Sequence, residues 1–152
     1  MYNRLMQECE IILADWGIPI PDVEIELTDE LYSYTEGEGV IYLGVMLRAG
    51  YAVGVCGESR MVRSILHEML HDLMEAYPPS KKVKKLFGSP GKWKAPQNMW
   101  RLLACSDGYV THYAHTHPEE DLVETAVSVL TGIKYRDDVK SRGAETWLDT
   151  MN

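Results

Sequence analysis

The residues best placed to do chemistry in this chain are His67, Glu68 and His71, within the run His67-Glu68-Met69-Leu70-His71, an H-E-x-x-H pattern. The segment around them has a helical apolar rhythm. On an α-helix, residues four apart lie one above the other on the same face. Two imidazoles can therefore aim at one ion, while Glu68, one step round, is close enough to polarise a water held by that ion. Two neutral nitrogen ligands, a carboxylate base and an open coordination position are what a zinc hydrolase needs.

A protein-held zinc needs at least one more ligand. Glu75 lies four residues beyond His71, but at 1.5 Å rise per residue it sits about 12 Å along the axis from His67, too far to share one ion. A second helix is the better source. It begins Pro118-Glu119-Glu120-Asp121-Leu122-Val123-Glu124, with Glu120 and Glu124 sharing a face. One of the two can bind metal while the other orients a ligand histidine. Acidic residues in a first helical turn also complement the helix dipole without any metal, so the missing zinc ligand upstream is what gives these carboxylates their interest.

The run Tyr113-Ala114-His115-Thr116-His117-Pro118-Glu119-Glu120-Asp121-Leu122-Val123-Glu124 resembles the downstream motif of gluzincin-type metallopeptidases. Two groups it is similar to are the "putative zinc-binding metallopeptidase" family and the anthrax lethal-factor-like peptidases. Both carry an H-E-x-x-H helix, then a tyrosine seven residues before a metal-binding glutamate, then a further glutamate four residues on. Leu86-Phe87-Gly88 is also similar to the former group, and the likeness spans residues 60 to 131. It implies one zinc held by His67, His71 and Glu120, with Glu68 as catalytic base. It further implies that Tyr113 hydrogen-bonds the oxyanion and that Glu124 supports a ligand histidine. Asp121 is an alternative third ligand, one residue away in register. The chain departs from the family pattern at Leu70, where glycine is usual, and at Val123, where alanine is usual; both add bulk beside the motifs. The implied fold is a minimal α+β zincin, with residues 1–152 as a single domain. The implied activity is hydrolysis of a peptide or protein substrate. Val40 to Gly44 is the candidate for the sheet-edge strand along which such a substrate lies.

The elements that must position these residues follow from pattern and punctuation. Residues 2 to 16 read as a helix with Leu5, Ile12 and Leu13 on its buried stripe and Gly17 ending it. Asp22 to Leu27 alternates polar and apolar, with Val23, Ile25 and Leu27 facing inward. Glu36-Gly37-Glu38-Gly39 is a turn before a short strand Val40-Ile41-Tyr42-Leu43. The glycine-rich stretch 44–57 is ambiguous. Ser59 to Tyr77 is the motif helix, stopped by Pro78-Pro79. The lysine run through Phe87 is a short helix, and residues 88–96 a loop. A helix over Gln97 to Cys105 follows, and then an aromatic, histidine-rich segment. The last helix read here starts at Pro118, where a missing N–H costs nothing, and stops at Gly132.

Composition narrows the class. At 152 residues, 45 % hydrophobic and 25 % charged, the chain matches an ordinary globular domain. Its net charge of −8 argues against a nucleic-acid partner. The basic cluster Lys81, Lys82, Lys84 and Lys85 reads as a solvated helix face. Cys9, Cys56 and Cys105 are too few and too spread for a disulfide framework or a zinc knuckle, and fit reduced, buried thiols. The N-terminus has no signal-peptide layout and no apolar run is long enough to span a membrane, so a cytoplasmic protein without membrane contact is expected. His112, His115 and His117 can form a second metal site, but such clusters are more often surface or hydrogen-bonding histidines. The rival function is a zinc-binding regulatory or interaction domain, weakly active or inactive and derived from a peptidase. Glu68 and Tyr113 weigh against it, because a structural site needs neither.

Overall fold

The computed structural model describes residues 2–35, 39–54, 57–94, 117–132 and 138–152. It is α+β, and the chain divides into two compact units, Met1–Pro78 and Pro79–Asn152. The expected turn at 36–38, the helix at 97–105 and the aromatic segment at 109–116 lie outside the described residues. Among the described residues, no helix is long and apolar enough to cross a membrane.

The first unit opens with helix α1 (Tyr2–Asp15), whose buried residues are Leu5, Cys9 and Leu13. Their spacing of four is the helical repeat on one face, with Ile12 at its margin. Gly17 ends the helix as expected, at φ 71°. Its N–H donates to the Ala14 carbonyl and that of Ile18 to the Leu13 carbonyl, each at 2.9 Å. This double closure needs a left-handed residue at Gly17. Three strands follow, β1 (Glu24–Leu27), β2 (Tyr34–Thr35) and β3 (Val40–Leu43), in the order β1-β3-β2. β1 runs parallel to β3 with Ile25 beside Ile41 and Leu27 beside Leu43; β2 runs antiparallel to β3 with Tyr34 beside Tyr42.

Two expectations fail here. Strand β3 is paired on both sides, so it is the centre of the sheet and not the edge at which a substrate can add. Leu27, expected to face inward, is 56 % exposed. It is the last residue of a four-residue outer strand, beyond the reach of the core that covers Ile41 and Leu43.

Helix α2 (Val45–Ala52) then leads to the long helix α3 (Glu58–Ala76). α3 packs on α1 and on β2 and β3. Its first turn is tied to α1 by an ion pair between Arg4 and Glu58. The hydrogen bond from Arg4 holds the Glu58 carboxyl below its usual pKa, but both side chains are half exposed, so the pair adds little stability. The stability lies in the seam beneath, where Leu5, Leu13, Met61, Ile65, Leu66 and Met69 are fully buried. Each such side chain contributes roughly 1.5–3 kcal/mol on leaving water.

The second unit holds α4 (Lys81–Phe87), α5 (Pro90–Lys94), α6 (Pro118–Leu130) and α7 (Asp138–Asp149). Ser80 caps α4, its hydroxyl accepting from the Val83 N–H at 3.2 Å. Lys81, Lys82 and Lys85 are exposed while Val83 and Phe87 are buried, as a solvated basic face over an apolar one requires. α7, a helix not expected from the sequence, packs on both α4 and α6 and buries Ala144, Trp147 and Leu148.

Candidate metal centre

Six consecutive residues of α3, Ile65 through Leu70, are buried. A helix covered all round in its middle turns is a core element, so polar groups placed there need a purpose. His67 and Glu68 are each 7 % exposed, and His71, one turn on, is partly buried. The two imidazoles meet edge to face, ring centres 4.8 Å apart, with their Nε2 atoms 3.1 Å apart. Two nitrogens bound to one tetrahedral zinc at about 2.0–2.1 Å stand roughly 3.3 Å apart. The pair therefore fits a shared metal with hardly any movement. Metal on Nε2 leaves Nδ1 to carry the hydrogen, the usual division of roles in a ligand histidine. Leu70, in the position where glycine is usual, is fully buried. Glu75 is exposed.

In the second unit, the first turn of α6 carries Glu119, Glu120 and Asp121, three acids where the helix dipole favours them. His117 caps this turn, its Nδ1 accepting from the Glu119 N–H at 3.0 Å. The proton of the neutral ring is thereby placed on Nε2. Trp93 meets the His117 ring edge to face at 6.2 Å and is fixed by its indole N–H donating to the Lys84 carbonyl at 2.9 Å. Pro118 comes so close to Gly88 that a Cβ there would lie 2.7 Å from Pro118 Cγ. These contacts set where α6 begins and hence where its acids stand.

The three carboxylates of interest on α6 differ in environment. Glu120 is 2 % exposed and Glu124 is partly buried. Asp121 is fully buried, and both of its oxygens are engaged within this unit. Lys140 of α7 donates to Oδ2 at 2.6 Å and the Thr125 hydroxyl to Oδ1 at 3.4 Å. The bond from Lys140 joins α6 to α7. Lys140, whose ammonium also lies 5.8 Å from the centre of the Phe87 ring, was missed in the sequence because α7 was missed. Tyr113, His112 and His115 lie outside the described residues.

A family model described as "putative zinc-binding metallo-peptidase" matches residues 55–146. That is more than half of the chain, and it takes in both α3 and α6. The chain belongs to this family, the first of the two it was seen to resemble. No curated protein and no solved structure matches it.

Proposed function

We propose that the chain is a zinc-dependent metallopeptidase of the gluzincin kind, acting on a peptide or protein substrate. One zinc per chain is held by His67, His71 and Glu120, and residues 1–152 work as one zincin-like domain. The observation that carries this reading is the meeting of the His67 and His71 Nε2 atoms at 3.1 Å beside the buried Glu68, in a chain of a zinc-binding metallo-peptidase family.

When bound, zinc supplies Lewis acidity, which polarises a carbonyl and makes water nucleophilic near neutral pH. The side chains supply the rest. His67 and His71 bind as neutral imidazoles, and Glu120 adds one anionic oxygen, a donor set suited to zinc. The engagement of Asp121 with Lys140 and Thr125 favours Glu120 over its neighbour as third ligand. Glu68 takes the proton of the attacking water and passes it to the leaving amine. Tyr113 donates its hydroxyl to the carbonyl oxygen as negative charge gathers there. Glu124, one turn beyond Glu120, accepts from a ligand histidine and holds its ring in place.

Glu68→Gln separates binding from chemistry. The variant should keep the parent's zinc content while hydrolysis of an unstructured protein substrate falls by roughly 10²–10⁴-fold, the worth of a general base. Turnover equal to the parent's would remove Glu68 from this role. A parent that binds zinc yet cleaves nothing would be a zinc-stabilised binding module.

A further inference from the structure

The outer edge of β1 is a feature of the first unit that the metal centre does not use. The Glu24 N–H donates to the Gly39 carbonyl at 2.8 Å and the Thr28 N–H to that of Leu43 at 3.2 Å. Residues 24, 26 and 28 therefore face β3, and in a parallel ladder the N–H and C=O groups of the alternate residues, Ile25 and Leu27, point the other way. Among the described residues no strand pairs with that side. Among the described residues its side chains also reach solvent: Glu24 and Glu26 are exposed, as is Leu27 at 56 %.

Its exposed side-chain charges, Glu24 and Glu26, are acidic, while Arg48 reaches the end of the strand, its guanidinium donating to the Leu43 carbonyl at 3.1 Å and the Thr28 carbonyl at 2.5 Å. Between Arg4 and Arg48 the sequence has ten acidic residues and no lysine or arginine. Glu24 and Glu26 lie on one face of β1, in line with Val40 and Tyr42, while Ile25 and Leu27 lie on the face of the buried Ile41 and Leu43. An added strand would set its own residues about 4.5–5.5 Å from these. A second copy of β1 would bring glutamate against glutamate, which is destabilising. A strand with cations opposite Glu24 and Glu26 and apolar side chains opposite Ile25 and Leu27 is matched on both faces.

We propose that the outer edge of β1 is a docking strand for an extended polypeptide segment of a partner in which lysine or arginine alternates with apolar residues. Main-chain hydrogen bonds to Ile25 and Leu27 hold the segment, and Glu24 and Glu26 select its charge. This edge is across the sheet from β2, the edge strand that packs on α3. The proposal stands whether or not the chain is a peptidase.

The test uses the full chain carrying Glu68→Gln, so that the probe stays whole. Amide exchange is followed by NMR with the capped peptides Lys-Val-Lys-Val-Lys and Glu-Val-Glu-Val-Glu. The basic peptide should slow exchange at the Ile25 and Leu27 amides. It should bind about tenfold more tightly than the acidic one at low salt, with the difference shrinking as salt rises. Glu24→Lys with Glu26→Lys should reverse the preference. Leu27→Pro should abolish binding and leave the β1–β3 ladder intact, because it removes only an outward N–H; if that variant does not fold, the charge reversal still decides. No slowing at millimolar peptide, slowing confined to Tyr34 and Thr35, or equal binding of the two peptides would overturn the proposal. So would slowing that depends only on protein concentration, which would make a second copy the occupant.

Discussion

Replacing Lys140 by methionine should destabilise the second unit far more than a change at a helix surface normally would. The Lys140 ammonium stands 2.6 Å from Asp121 Oδ2, with the lysine side chain 13 % exposed and the aspartate fully buried. Methionine keeps most of the aliphatic stem and removes the charge, so the variant isolates the ion pair from the packing around it. The loss has two parts: the attraction disappears, and a buried carboxylate loses the ammonium that faces it. Breaking such a pair from one side costs about 3–5 kcal/mol. For a chain of this size that lowers the melting temperature by roughly 6–20 °C. Adding Asp121→Asn to Lys140→Met should recover most of the loss, because no charge then remains to be desolvated and the Thr125 hydroxyl still has an oxygen to bond. Thermal and urea unfolding of parent, both single variants and the double variant complete the cycle. A Lys140→Met protein within about 1 kcal/mol of the parent would refute the reasoning, as that is the range of a solvated pair. A double variant no more stable than Lys140→Met would refute it equally.

Burial pushes the Cys9 thiol from 9.0 up to about 12, so the folded protein holds this proton more tightly than the unfolded chain does. Stability from this group is complete below pH 9 and is lost as pH rises through 12, by about 4 kcal/mol in all. Cys9→Ala should unfold less steeply with alkali than the parent in urea titrations between these limits, and parallel slopes would refute the assignment. Gly88→Ala places a methyl group 2.7 Å from Pro118 Cγ, a ring atom with little room to yield. It should cost about 1–3 kcal/mol as overpacking, and an unchanged melting temperature would show that the start of α6 is not fixed there.

What the sequence made legible was local. α3 and α6 stand out because their apolar residues keep a helical spacing over several turns and because Pro78-Pro79, Pro118 and Gly132 punctuate them. Gly17 marked the end of α1 for the same reason. The H-E-x-x-H pairing is a statement about one helix, and the structure brings His67 and His71 together accordingly. Strand pairing is not local. Val40–Leu43 looks alike as an edge or as a centre, and only the parallel pairing with β1 and the antiparallel pairing with β2 make it central. Helix α7 had a usable signal in Ala144, Trp147, Leu148 and Met151, but Gly143 and the charges between them diluted it. α2 was hidden in the same way by Gly50. The Lys140–Asp121 contact joins residues nineteen apart on different helices, and no spacing rule announces it.

The most direct test of the central claim is zinc content per chain, measured by elemental analysis on the purified parent, His71→Ala and Glu120→Gln, with folding checked by circular dichroism. Close to one zinc is expected in the parent and little in either variant, both remaining folded. A parent that takes up no zinc after reconstitution would contradict the metal centre altogether. Full zinc in Glu120→Gln would leave the two histidines in place and contradict the assignment of the third ligand.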